Sequence, residues 1–438
     1  MTIRSRFAAR TAALAAALLG AALAPQTVAA QQRETGDAGA ERLLEALRQN
    51  RRTLAIADGR LSGDGAELLL SEGRASQFFL LGEEHGVAEV PALAAALFRE
   101  LTRHGYRHLA IETGDGLAVT LDTLARKPEP LAALTAFFQA HWPGAPSYTL
   151  REEAELLVEA VAASPARQVL WGLDYDIMAD RHALPRLREL ASTPAQREAA
   201  GRAIGVADSL LRLAMEQRNP GHVMMFGGPE SVLQELRFAY APGPGTEAER
   251  IVSLLEATRR INGYWLSGEG WRSNEERARW NKRQFARLWH DARQRDGEPP
   301  RVMLKFGANH MIRGRTWTDV YDLGSLASEL ADALGGRSFH VLVVGGRESS
   351  HAVLDPTVME YRPAPSDMPA DPATRPFFDA ADPAAWTLYD LRPLRPLASQ
   401  GRFGDLPEGL AKVIWGFDAV VVVTGSRPAT MLPIRRPW

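Results

Sequence analysis

Residues 77–82, QFFLLG, form an almost unbroken apolar run closed by a glycine; the helically spaced stretch EVPALAAALFRELTRHG and a second apolar run, YRHLAIETG, come next. A short run of this kind predicts a strand buried on both faces, and the 3.6-residue spacing between the two predicts a helix ending at Gly105. Residues 77–114 therefore read as a βαβ unit, whose strands lie parallel. A helical stretch over about 115–165, broken by KPEP and WPGAPS, leads to a third predicted strand in RQVLWGLDYD.

Residues 181–296 alternate charged and apolar positions at helical spacing, with interruptions at GHVMMFGG and APGPGTEAE, and predict a large helical insertion. Strand and helix then alternate again through RVMLKFGANHM, LGSLASELADALGG and FHVLVVGG, and the chain closes with AWTLYDLRP, LPEGLAKVIWG and FDAVVVVTG. Residues 351–383 are rich in Pro and Asp and predict a surface loop. The pattern as a whole predicts an α/β fold, a mostly parallel sheet flanked by helices, with one domain over residues 41–438.

The N-terminus stands apart. Arg4, Arg6 and Arg10 precede the apolar run TAALAAALLGAALA, and VAA precedes Gln31. That is the grammar of a secretory signal peptide over residues 1–30. Its apolar core is too short to span a bilayer, which takes about 20 residues, and no later run approaches that length, so stable membrane insertion is not expected. Residues 31–40, QQRETGDAGA, predict a flexible lead-in, and the expected location is secreted or periplasmic. With no Cys in 438 residues, disulfides, thiolate metal sites and a Cys nucleophile are excluded. The formal charge is −2 before the three leader arginines are removed. No basic field favours nucleic acid; the expected partner is a small-molecule substrate, and oligomeric state is not legible.

In an open parallel sheet, ligands bind beyond the carboxyl ends of the strands. The residues at those ends are polar: Glu83, Glu84 and His85 after the first run, Glu112 and Thr113 after the second, Asp174 and Asp176 after the third, and Asn309 and His310 after VMLKFG. A carboxylate bonded to an imidazole fixes its tautomer and raises its basicity, so the ring can take a proton from water. Alternatively, two imidazoles and a carboxylate, here His85, His310 and Glu112, can hold a divalent metal that activates water. Neither H-E-x-x-H, nor G-x-S-x-G, nor a Walker-type loop occurs, which argues against zincin, serine hydrolase and P-loop chemistry. Of the remaining histidines, His222, after the Pro-Gly break, is the strongest further candidate.

The stretch LLGEEHGVAEVPALAAALFRELTRHGYRHLAIETG resembles the opening unit of the erythromycin esterase-like superfamily, whose distant relatives include the ChaN haem-binding and TIKI/TraB proteins; Gly82, Glu83, His85, Gly105, Tyr106 and Glu112 match in order. NEERARWNKRQFARLW is similar to the esterases' helix, VMLKFGANHMIRG to the strand that delivers a second His, and FDAVVVVTGSRPAT to the closing strand. The Gly-Glu-Glu-His spacing is that of the ChaN-like branch, one residue shorter than the esterase G-E-x-x-H. The resemblance implies an exported hydrolase of an ester, lactone or amide, with His85 as general base, Glu83 or Glu84 and Glu112 as carboxylate partners, and His310 as second imidazole. No cofactor is required in that reading. The relatives also leave open a haem- or metal-binding protein and a metallopeptidase of the TIKI type. Asp174, Asp176, Asn309 and Arg279, with Arg272 as an alternative to the last, are candidates for substrate contact.

Overall fold

A computed structural model describes residues 38–241 and 243–437. The predicted signal peptide and most of the lead-in lie outside them; residues 38–40 already belong to a helix that runs to residue 49. Eleven strands follow in chain order: β1 Arg51–Ala57, β2 Arg60–Ser62, β3 Phe78–Glu83, β4 Tyr106–Ile111, β5 Leu170–Gly172, β6 Arg301–Gly307, β7 Ser338–Gly345, β8 Ser350–Asp355, β9 Glu360–Pro365, β10 Trp386–Asp390 and β11 Ala419–Val423. Nine of them form one sheet in the order β2-β1-β10-β11-β7-β3-β6-β4-β5. From β11 to β5 every pairing is parallel. β10, β1 and β2 extend the sheet in antiparallel fashion.

The α/β fold, the mostly parallel sheet and the helical insertion are as the sequence predicts. β3 is buried along its whole length because helices cover both faces of the sheet. Its odd residues Phe79 and Leu81 pack with Val90, Leu97 and Leu157 on one face, and Phe78 and Leu80 pack with Phe285 and Phe306 on the other. The insertion comprises the helices Asp180–Glu189, Pro194–Glu216, Glu230–Tyr240, Glu247–Leu266 and Gly270–Asp296. Most of it packs round its own core, which includes Leu184, Ala203, Leu236 and Leu255. The last helix returns to the sheet: Ala278, Asn281, Phe285, Leu288, Trp289 and Ala292 are its buried face, spaced at threes and fours as a docked helix requires. Phe285 meets Phe78 edge-on at 5.4 Å.

Two hairpins depart from the prediction. β1 and β2 were not expected, because β1 buries only Leu54 and shows no alternation to read. Residues 351–383 are not simply a loop: β8 and β9 pair as an antiparallel hairpin, followed by the helix Arg375–Ala380. The hairpin's residues are mostly half-exposed, so the apolar signal that marks a core strand is missing. The third predicted strand is also short, three residues, with Asp174 N continuing the pairing to Thr113 O at 2.9 Å.

Replacing Phe285 by Ala removes the ring that anchors the last insertion helix to β3. The expected cost is about 3–5 kcal/mol, read as a lower urea midpoint; a midpoint unchanged from the parent would show that the helix is held by other contacts.

Candidate functional site

Parallel register aligns the strand ends. Glu83 on β3 stands level with Gly307 on β6, and Ile111 on β4 stands level with Lys305 on β6 and Gly172 on β5. The residues that follow these positions are thus delivered to one edge of the sheet.

His85 is at the centre. Its Nδ1 lies 2.9 Å from Glu83 Oε1 and its Nε2 3.5 Å from Glu112 Oε2. Glu83 is buried, whereas the His85 side chain is 54% exposed, so the ring is held from behind and open in front. Burial alone would favour the neutral ring, but Glu112 and Glu83 outweigh it and the pKa is pushed up to about 9. Solvent at the open face screens part of that shift.

Glu112 joins three groups. Its Oε2 accepts from Gly307 N at 2.7 Å, its Oε1 accepts from Arg277 Nη2 at 2.7 Å, and His310 Nε2 is 3.6 Å from Oε1. Burial would raise the carboxyl's pKa, but His85, His310 and Arg277 hold it well below the usual carboxylate range. Gly307 leaves room for this meeting, since a Cβ there would stand 2.7 Å from His85 Nε2. His310 is itself oriented by Asp322, whose Oδ2 lies 2.7 Å from Nδ1. Burial and Arg277 oppose a charge on His310, yet Asp322 and Glu112 prevail and its pKa is raised.

Arg277 reaches down from the helix Gly270–Asp296 and forks over Asp174 as well as Glu112. Its Nε donates to Asp174 Oδ1 at 3.0 Å and its Nη2 also bonds Oδ2. Trp280 Nε1 donates to the Asp174 carbonyl at 3.1 Å, and the guanidinium sits over the Tyr175 ring. Behind Glu83 lies Lys305, 4% exposed, whose Nζ donates to Glu83 Oε1 at 2.7 Å and to the two oxygens of Glu153 at 2.7 and 2.9 Å. Burial opposes the ionised form of Glu83, but Lys305 and His85 hold its pKa down.

The structure thus brings together Glu83, His85, Glu112, Asp174 and His310. Four other predicted residues make their contacts elsewhere. Glu84 points the opposite way from Glu83, as strand alternation demands; its carboxylate accepts from Gly345 N at 2.9 Å and from Ser366 Oγ, which ties β7 to the segment after the β8–β9 hairpin. Asp176 accepts from Thr113 Oγ1 at 2.5 Å and Gly114 N at 2.6 Å, so it shapes the turn after β4 and does not face the cluster. Asn309 braces its own loop through Trp317 N and Thr318 Oγ1. Arg279 is paired with Glu275 and 55% exposed, two residues and roughly 200° round the helix from Arg277. Arg272 is likewise exposed and paired with Glu269. His222 lies near Asn219, outside the cluster.

Arg277, Lys305, Glu153 and Asp322 were not singled out from sequence. Lys305 had a usable signal, a lone cation inside the apolar run VMLKFG. The trio proposed for a divalent metal does not fit one. Both Glu112 oxygens are engaged by Gly307 and Arg277, and among the described residues no group of three His, Asp or Glu side chains is arranged to hold a metal ion. Two surface hollows, of 460 Å³ beside Arg52 and Arg74 and 240 Å³ beside His108 and Trp171, border none of the clustered residues. Among the described residues, no helix is long and apolar enough to cross a membrane.

No family model matches the chain, and no curated protein matches it. Its fold does match solved structures. A protein from Bacillus cereus superposes with a TM-score of 0.54 at 14% identity, over 90% of this chain and 99% of that one. A succinoglycan biosynthesis protein superposes with a TM-score of 0.55 at 12% identity, over 90% and 98%. A mutant erythromycin esterase in its open conformation superposes with a TM-score of 0.52 at 15% identity, over 84% and 95%. At these identities the likeness is one of fold.

Replacing Arg277 by Met leaves Asp174 buried without its cation, while Glu112 keeps only His85 and His310 as charged partners. The expected loss is about 3–5 kcal/mol near neutral pH. Asp174, whose carboxyl burial already raises, then has a folded pKa further above its unfolded one, so that part of the lost stability returns as pH falls and it protonates. Urea titrations at pH 7 and pH 4 check this; equal losses at the two would contradict it.

Proposed function

We propose that the protein is a hydrolase that activates water with His85 and cleaves an ester, lactone or amide. The observation that carries this reading is the His85 ring, clasped by Glu83 at Nδ1, facing Glu112 at Nε2 and open on one side at the carboxyl ends of parallel strands. The likeness of fold to an erythromycin esterase supports the same class.

In this mechanism Glu83 accepts a hydrogen bond from Nδ1–H, which leaves Nε2 as the base. As water attacks the substrate carbonyl, its proton passes to Nε2, and Glu112 offsets the charge that develops on the ring. His310, whose pKa Asp322 and Glu112 raise, donates from Nε2 to the leaving oxygen or nitrogen when it is protonated. Arg277 holds Glu112 and Asp174 in place and spends its donors on them. Because Glu112 and Glu83 raise the His85 pKa, the free-base share of the ring grows as pH rises above neutral. Turnover therefore favours alkaline pH. The leader-like residues 1–30 fit an exported enzyme, and export belongs to this proposal.

The test is a panel of chromogenic esters and lactones assayed with the parent and His85→Ala. Loss of about 100-fold or more in kcat, with an unchanged circular dichroism spectrum, is expected; full activity in the variant removes His85 from the mechanism. A haem absorbance band on titration with haem, without any turnover, would favour a haem-binding role instead.

The pH profile gives a second check. The rate should rise with pH along a limb set by His85, and Glu112→Gln should move that limb to lower pH by about one unit, since the carboxylate that does most to raise the His85 pKa is gone. A limb that stays in place would assign it to another group.

A further inference from the structure

One oxygen of Glu83 serves two cations. Oε1 lies 2.9 Å from His85 Nδ1 and 2.7 Å from Lys305 Nζ. Lys305 in turn divides itself between Glu83 on β3 and Glu153 on the helix Arg151–Ala163. All three side chains of this chain of contacts behind His85 are nearly dry: Glu83 3%, Lys305 4% and Glu153 7% exposed. Removed from water, a charge must be matched by its neighbours. Two carboxylates and one ammonium cannot all be matched at once, so the share of Glu83 that Lys305 takes is a share His85 does not have.

We propose that Lys305 is a positioning residue that competes with His85 for Glu83 Oε1 and, with Glu153 as its counter-charge, sets how tightly His85 holds its proton. The inference rests on the assignment of His85 as the base, and it explains a feature that assignment leaves over, namely why a lysine occupies a buried position in β6. The direction of the shifts agrees with the geometry: Lys305 works against the charged form of His85, and Glu153 is pushed up to about 7 by burial and by Glu83, against the pull of Lys305. The groups facing this chain of contacts are Glu112 beyond the ring, and the phenols of Tyr148, buried, and Tyr361, half-buried, both with raised pKa. His351, on β8, meets the backbone carbonyl of His85 at 3.1 Å. None of these places a second cation on Glu83.

The two ends of the contact chain give shifts of opposite sign. Lys305→Met frees Glu83 for His85, so the His85 midpoint rises. Glu153→Gln leaves Lys305 to lean wholly on Glu83, so the His85 midpoint falls. Lys305→Arg keeps the charge and stays close to the parent. Each midpoint is read by NMR titration of the full chain with labelled histidine, His85 being assigned by loss of its signal in His85→Asn. Shifts of about half a unit or more in opposite directions are expected, with the pH–rate limb moving in step and KM little changed. Shifts in the same direction, or none, overturn the proposal; a purely structural role for Lys305 predicts that result. If Lys305→Met does not fold, the fall in Glu153→Gln decides alone. The NMR readout does not need turnover: opposite shifts in a protein that hydrolyses nothing would sink the hydrolase reading and leave this one standing, and unmoved midpoints in an active enzyme would do the reverse.

Discussion

The fork of Arg277 over Glu112 and Asp174 is the interaction that joins the two halves of the molecule. Glu112 and Asp174 end neighbouring strands, and burial would not tolerate both as ions without a cation between them. The buried lysine of the sheet, Lys305, does not supply it, because it lies behind Glu83. The charge comes from a helix more than a hundred residues away in sequence from Asp174, so the helical insertion is part of the site and not an appendage to it. Docking of that helix through Ala278, Asn281 and Phe285 and neutralisation of the strand-end carboxylates are two aspects of one event.

His85 then sits where three influences meet. Glu83 grips it from the strand, Glu112 faces its other nitrogen, and Lys305 shares Glu83 Oε1 with it from within the sheet. Charges alternate in sign from Glu153 through Lys305 and Glu83 to His85, then on to Glu112 and Arg277, ending at Asp174. Such an arrangement is costly in a dry interior unless every member is paired. It is affordable here because the front of His85 remains in water.

The parts of the fold that the sequence makes legible are those with cores on both sides. β3, β7 and β11 carry apolar runs that admit one reading, as does β6 apart from Lys305, and the polar residues after β3, β4 and β6 mark the edge where the cluster forms. β1, β2, β8 and β9 bury too few side chains to leave a pattern. Within the site, strand ends locate His85, Glu112, Asp174 and His310. They do not say which way adjacent acids face, although alternation from Phe79 and Leu81 puts Glu83, not Glu84, on the face of Lys305. The Arg277 contact depended on helix phase: an error of two residues moves the choice to Arg279, on the wrong side, and only the docked helix fixes that rotation. Lys305 was visible as a charge in an apolar strand, but its partner Glu153 belongs to a helix whose distance from β6 no local pattern reports.

Gly86 closes the LGEEHG segment with φ of 79°, and its carbonyl accepts from Ala352 N at 2.9 Å and from Ala429 N at 2.8 Å. Both lone pairs of that oxygen are therefore spoken for, one by the β8–β9 hairpin and one by the C-terminal segment. The peptide next to His85 is a mechanical junction between two surface pieces that lie far apart in the chain. The backbone one residue from the imidazole is thus pinned by two segments that are themselves remote from each other in the chain.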